Sequence, residues 1–153
     1  MPSKIMKSVD EALADIPDGA TIMIGGFGLA GQPQELIDGL IRRGAKDLTI
    51  VNNNAGNGEV GLALLIKSGF VKKIICSFPR QVDSHIFDAA YRAGEIELEV
   101  VPQGNLAERI RAAGAGIGGF FTPTGYGTLL AEGKETRTIN GKNYVLESTL
   151  TMH

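Results

Sequence analysis

Between Asp18 and Pro33 the chain reads Asp-Gly-Ala-Thr-Ile-Met-Ile-Gly-Gly-Phe-Gly-Leu-Ala-Gly-Gln-Pro, and no other stretch constrains the fold as tightly. Ile22, Met23 and Ile24 form a short apolar run that reads as a buried strand. It breaks directly into Gly25, Gly26, Gly28 and Gly31, after which Pro33 opens a helix-like segment. Proline suits a first helical position, where its missing N–H costs nothing. A strand, a glycine loop and a helix start together let a backbone approach a ligand closely and offer it N–H donors. The stretch therefore points to a phosphorylated ligand or an acyl group, with a ligand-free glycine turn as the alternative.

The spacing Gly26-x-Gly28-x-x-Gly31 also fits a dinucleotide-binding turn. That reading needs an acidic residue about 20 positions on, at the tip of the second strand. Here the second strand, expected over Leu48 to Val51, runs into Asn52, Asn53 and Asn54. No carboxylate stands where the ribose would be held, which disfavours a dinucleotide-dependent oxidoreductase.

The rest of the chain alternates strand and helix signals. Ser8-Val-Asp-Glu11 has the capping-box pattern of a short first helix ending near Pro17. Leu36, Ile37, Leu40 and Ile41 mark one face of a helix over 33–43. A buried helix is predicted over Val60 to Lys67, a third strand over Lys73 to Ser77, a helix over Ser84 to Ala93 and a fourth strand over Ile96 to Val101. A helix over 105–113 follows, with Asn105 as its N-cap. This alternation predicts an α/β fold with a mostly parallel sheet and helices on both faces. Ligands of such sheets gather at the C-terminal ends of the strands. Gly25–Gly31, Asn52–Asn54, Phe78-Pro79-Arg80 and Pro102-Gln103-Gly104 are then expected along one edge. Beyond Gly114 the chain becomes a Gly-, Thr- and aromatic-rich loop. Asn140-Gly141, between Thr136–Ile139 and Tyr144–Leu146, signals a hairpin with a type I′ turn.

Bulk properties exclude several classes. Fifteen basic residues against 17 acidic ones give no electrostatic footprint for nucleic acid or an anionic membrane. No apolar run approaches the roughly 20 residues of a membrane span. Lys4 and Lys7 are followed by no apolar segment of a secretory signal. The lone Cys76 lies in the apolar run Ile74-Ile75-Cys76, reads as a core residue, and suits a cytoplasmic protein. His85 and His153 have no acid or cysteine at ligand spacing, so neither is assigned a metal or a base role. Twenty-one glycines, about twice the usual proportion of about 7%, cluster at element ends rather than in a linker.

The run Asp18 to Pro33 resembles the signature of the family I CoA-transferases. Asn53-Asn54-Ala55-Gly56, Pro102-Gln103-Gly104-Asn105-Leu106-Ala107-Glu108-Arg109-Ile110-Arg111 and Thr122-Pro123-Thr124-Gly125-Tyr126-Gly127-Thr128 are similar to blocks in the α subunits of its 3-oxoacid enzymes. These blocks occur in family order across essentially the whole chain. The resemblance implies an open α/β CoA-transferase-like domain in a hetero-oligomer, with acyl-CoA and a 3-oxo acid as small-molecule substrates. It implies no permanently bound cofactor; CoA and succinyl-CoA serve as substrate. In this family a glutamate of the β subunit, in a Ser-Glu-Asn-Gly motif, attacks the thioester. It passes through an acyl anhydride and becomes a glutamyl-CoA thioester, which is nucleophilic catalysis. That motif is absent from this sequence, and Glu147 in Leu-Glu-Ser-Thr is no substitute. What the resemblance leaves to this chain is support. Gln103 is expected to donate its amide to the substrate carbonyl or a developing oxyanion. Gly25, Gly26, Phe27, Gly28, Leu29, Ala30 and Gly31 are expected to contact CoA, or to pack close to the partner's active site. Asn53 and Asn54 are expected to donate to substrate or to orient the partner's glutamate, with plain turn chemistry as the alternative.

Ser77-Phe78-Pro79-Arg80 resembles the members that act on 3-oxoadipate in aromatic degradation, where Arg80 would meet a second substrate carboxylate. The alternatives are 3-oxobutyrate, the ketone-body substrate, and a non-catalytic CoA- or acyl-binding module. Thr149–His153 brings no closing element, and the α subunits it resembles run on. Residues 1–153 are therefore expected to be one domain truncated at its C-terminus.

Overall fold

The computed structural model describes residues 5–152; Lys4 and His153 lie outside them. Two compact units divide the chain, one running to Val100 with Met152, the other Val101–Thr151.

The first unit holds β1 (Thr21–Met23), β2 (Leu48–Val51), β3 (Val71–Cys76) and β4 (Glu97–Val100) in one parallel sheet of order β1-β2-β3-β4. Between and before them lie α1 (Val9–Ala12), α2 (Gln34–Arg43), α3 (Leu62–Lys67) and α4 (His85–Arg92). The α/β class with a parallel sheet is as the alternation of signals predicts. Strand order adds what the alternation alone does not carry. Parallel connections are right-handed, and all three here step the same way across the sheet. They therefore place α2, α3 and α4 on one shared face instead of dividing them between two.

Local chemistry explains the element ends. Ser8 caps α1, its Oγ accepting from the Glu11 N–H at 3.1 Å, while Glu11 reaches back to the Lys7 N–H at 2.8 Å. Helix α2 begins one residue after Pro33 and stops at Gly44, whose φ of 72° only glycine adopts without penalty. Leu36, expected on its buried face, is 40% exposed, and Ile37 and Leu40 carry the packing. Their core partners are Ile24, Leu48, Ile50, Ile74 and Cys76 from the strands and Leu62, Leu65 and Phe87 from the helices. Each large side chain removed from water in this way contributes about 1.5–3 kcal/mol.

The second unit holds α5 (Gln103–Gly114), β5 (Gly119–Thr122), a 3₁₀ turn at Leu129–Ala131, β6 (Thr136–Ile139) and β7 (Lys142–Ser148). Its antiparallel sheet has the order β5-β7-β6. Asn140 and Gly141 have φ of 50° and 75°, the paired positive values that a type I′ turn requires. Helix α5 starts two residues earlier than predicted, directly after Pro102, so Asn105 is no cap. Asn105 is instead buried, its amide donating to Glu147 at 3.3 Å.

Candidate functional site

Parallel pairing puts the turns after β1, β2 and β3 at one end of the first unit's sheet, and hydrogen bonds join them there. The N–H groups of Ser77 and Phe78 both donate to the Asn53 carbonyl, at 3.2 and 2.9 Å. The Phe27 and Phe78 rings meet edge to face with centroids 6.5 Å apart. Both rings are largely exposed, as is Leu29, so the rim of this edge is apolar. Three of the four motifs expected on one edge are thus together. The fourth belongs to the second unit, where Gln103 is an exposed residue in the first turn of α5.

The glycine loop is built as a tight turn. Phe27 and Ala30 exchange backbone hydrogen bonds of 2.9 and 3.1 Å, with Gly28 and Leu29 at the tip. Gly28 has φ 63°, the conformation a two-residue turn with glycine at its first central position takes. A side chain at Gly26 (φ 120°) would strike Gln32 and the Ala30 carbonyl at 2.9–3.0 Å, so the turn is closed on its inner side. Among the described residues the N–H groups of Gly25, Gly26, Gly28, Leu29 and Gly31 make no hydrogen bond. Five backbone donors on one short turn suit an anionic or carbonyl oxygen.

Side-chain amides hold the other side of this turn. Asn52, 3% exposed, donates to the Ile24 carbonyl and, at a long 3.4 Å, to that of Gly25. Its Oδ1 accepts from the Asn54 N–H at 2.9 Å. Gln32 donates to the Gly28 carbonyl at 2.6 Å, and its Oε1 accepts from the Leu62 N–H at 3.1 Å. Asn52 lies in a motif expected at this edge without a role of its own and Gln32 in none; an Asn at a strand tip and a Gln before a helix-opening Pro are the sequence signals of this bracing.

Asn54, read from the sequence as a substrate donor, is fully buried. Its Oδ1 accepts from the Gly56 N–H at 2.8 Å and its Nδ2 lies 3.5 Å from the Gly28 carbonyl, so it holds backbone instead of facing a ligand. Asn53 is only partly buried and sits between the β1 and β3 turns. Arg80 is exposed, its Nε donating to Asp88 of α4 at 2.6 Å. That occupies one edge of the guanidinium and leaves Nη1 and Nη2 as the pair free to meet a carboxylate. His85 does have acid partners: its Nδ1 is 2.9 Å from Asp83 and its Nε2 3.7 Å from Glu59. The sequence hides this because the pairing depends on the turn at 81–84 and on the distant β2–α3 loop.

Cys76 and Glu147, to which the sequence gives no nucleophilic role, are both buried. Cys76 is wholly buried, and burial pushes its thiol up to about 12, against a weaker opposing backbone hydrogen bond at Phe78. Glu147 is 3% exposed, bonded to Lys134 at 2.8 Å and to Asn105, within the second unit. Among the described residues no helix is long and apolar enough to cross a membrane.

Residues 6–152 match the family described as Coenzyme A transferase. The α subunit of the Pseudomonas putida 3-oxoadipate CoA-transferase is 69% identical over 150 residues, covering 98% of this chain and 65% of that protein. Its counterpart of the same name from Acinetobacter baylyi is 67% identical, covering 98% of this chain and 66% of that protein. The chain thus spans about two thirds of the length of these relatives. A solved glutaconate coenzyme A-transferase from Acidaminococcus fermentans superposes with a TM-score of 0.82 at 21% identity, over 98% of this chain and 54% of that one. That likeness concerns the fold.

Proposed function

Because the chain belongs to the coenzyme A transferase family, we propose that it supplies the non-nucleophile subunit of a two-component enzyme moving CoA from succinyl-CoA to 3-oxoadipate. The observation that carries this is the glycine turn at the sheet edge, with five N–H donors that have no acceptor among the described residues. Sequence identity of 67–69% to proteins named as the corresponding subunit of 3-oxoadipate CoA-transferases supports the choice of acceptor. Residues 1–153 are read as one domain of that subunit, in the cytoplasm.

The chemistry follows from what the chain has and lacks. A glutamate on the partner subunit, in its Ser-Glu-Asn-Gly motif, attacks the succinyl-CoA carbonyl. The C–S bond breaks, CoA thiolate leaves, and a mixed anhydride remains. The thiolate then attacks the glutamyl carbonyl, releasing succinate and leaving a glutamyl-CoA thioester that 3-oxoadipate consumes by the reverse steps. Each attack places negative charge on a carbonyl oxygen. Amide donors fixed in advance stabilise such charge without reorganising. In the first unit the N–H groups of Gly25, Gly26, Gly28, Leu29 and Gly31 serve here and also contact CoA; in the second, the exposed amide of Gln103 is read as a donor to the substrate carbonyl. Asn53 donates to substrate, Asn54 keeps the turn in shape, and the Nη edge of Arg80 receives the distal carboxylate of 3-oxoadipate.

The test is turnover of succinyl-CoA and 3-oxoadipate by this subunit with and without its partner. Activity is expected only in the mixture. Turnover in the absence of the partner refutes the proposal, and so does a partner without a glutamate that traps CoA.

A further inference from the structure

A trans peptide is planar, and its C=O and N–H point in opposite directions. Among the described residues the glycine turn contains no cis bond. Whatever fixes a carbonyl therefore also aims the next residue's N–H the other way. Asn52 fixes the carbonyls of Ile24 and Gly25, which aims the N–H groups of Gly25 and Gly26 away from it. Gln32, at 2.6 Å and with the Asn54 amide at only a limiting 3.5 Å, is the main grip on the carbonyl of Gly28, which aims the N–H of Leu29 away from it. These are three of the five donors without an acceptor among the described residues.

Resting on the ligand-binding reading of this turn given above, we propose that Gln32 and Asn52 are positioning residues, whose side-chain amides set the direction of the donors that meet the acyl-CoA. Gln32 sets Leu29, and Asn52 sets Gly25 and Gly26. Gln32 occupies space that two glycines leave open. Its Cγ lies where a side chain on Gly26 would be, and its Oε1 lies where one on Gly61 would be. Helix α3 has no capping side chain of its own. The Gln32 Oε1 supplies that bond to the Leu62 N–H, so the helix holds the amide while the amide holds the turn. A brace of this kind costs the ligand nothing at the moment of binding, because the donors are already aimed.

The two halves of the Gln32 amide can be separated. Gln32→Glu keeps the oxygen that caps Leu62 and loses the N–H₂ that grips Gly28. Gln32→Met fills the same space with neither. The full subunit, labelled with ¹⁵N, is titrated with CoA while the amide signals of Gly25, Gly26 and Leu29 are followed. Melting temperatures run alongside. In the wild type all three amides are expected to shift. In both variants the Leu29 shift is expected to vanish while those of Gly25 and Gly26, governed by Asn52, persist. CoA should then bind about three- to tenfold more weakly, as for the loss of one aimed donor. Retention of the Leu29 shift in both variants refutes the positioning role. Its loss in Gln32→Met with rescue in Gln32→Glu also refutes it, since the cap alone then suffices. Absence of CoA-induced shifts in the wild type overturns the ligand-binding reading, and the inference with it.

Discussion

Gly56 is the position where a single methyl group should do most damage to the site without touching a ligand. The residue is buried, with φ 86°, and its N–H is held by the Asn54 side chain. A Cβ there would lie 2.5 Å from the Ala63 nitrogen and 2.8 Å from its Cα. These are backbone atoms of α3, so no rotamer change can relieve the overlap; the helix or the turn must move. Two costs add. Forcing an L-residue into the left-handed region costs about 1–2 kcal/mol. Overpacking against a fixed backbone costs about 1–3 kcal/mol. Gly56→Ala should therefore destabilise by about 2–5 kcal/mol, a large share of the roughly 5–15 kcal/mol that holds a domain folded. Gly69→Ala is the control, because Gly69 has φ 75° with nothing within 4 Å of its would-be Cβ. It should lose only the first cost. Urea unfolding followed by circular dichroism measures both variants, and the difference between them isolates the packing of the Asn54 turn on α3. If Gly56→Ala costs no more than Gly69→Ala, that packing is not what fixes the turn.

The structure also makes predictions for two other side chains. Arg80→Ala should lower kcat/KM for 3-oxoadipate about ten- to hundredfold, the worth of one charge-assisted bond, and leave 3-oxobutyrate within about threefold. The exposed Arg80–Asp88 pair should add less than about 1 kcal/mol to stability, so equal losses on both substrates would reduce Arg80 to a turn residue. Burial pushes the Cys76 thiol up to about 12, so it is overwhelmingly protonated at pH 8. Iodoacetamide should therefore label it at pH 8 only after unfolding, and rapid labelling of the native protein, followed by mass spectrometry, would contradict its burial.

Much of this fold is legible in the sequence because its signals are local. Ile22–Ile24, Leu48–Val51 and Ile74–Cys76 are largely apolar runs ended by Gly25, Asn52 and Ser77, and the strands fall within about three residues of them. Asn140-Gly141 dictates its turn through φ alone. Strand β5 is not legible: Gly118 precedes it, Gly119 opens it and no alternation marks it, because its backbone is ordered by pairing with β7. The N-terminus of α5 is hidden for a related reason. Asn105 looks like a cap by residue type, but Pro102 already supplies a helical entry, and the distant Glu147 claims the amide.

The site divides along the same line. Which residues gather at the sheet edge follows from parallel topology, so the glycine turn, Asn53 and Phe78–Arg80 are foreseeable from strand ends. What each polar side chain does there is not, since that depends on where backbone carbonyls point. Asn52, Asn53 and Asn54 are identical in chemistry and adjacent in sequence. Yet Asn52 and Asn54 are buried against the loop's carbonyls, while Asn53 is only partly covered. Alternation along an extended chain separates them: neighbours face opposite ways, and residues two apart share a side. Asn52 and Asn54 therefore share the inner side, and the middle one turns the other way. The rule lapses beyond β3, where Phe78 makes only an isolated bridge with Asn54 and no strand continues. Phe78 packs on Phe27 in the apolar rim. Arg80, tethered by Nε to Asp88, takes its direction from α4 instead, a pairing that no strand-end pattern in the sequence reveals.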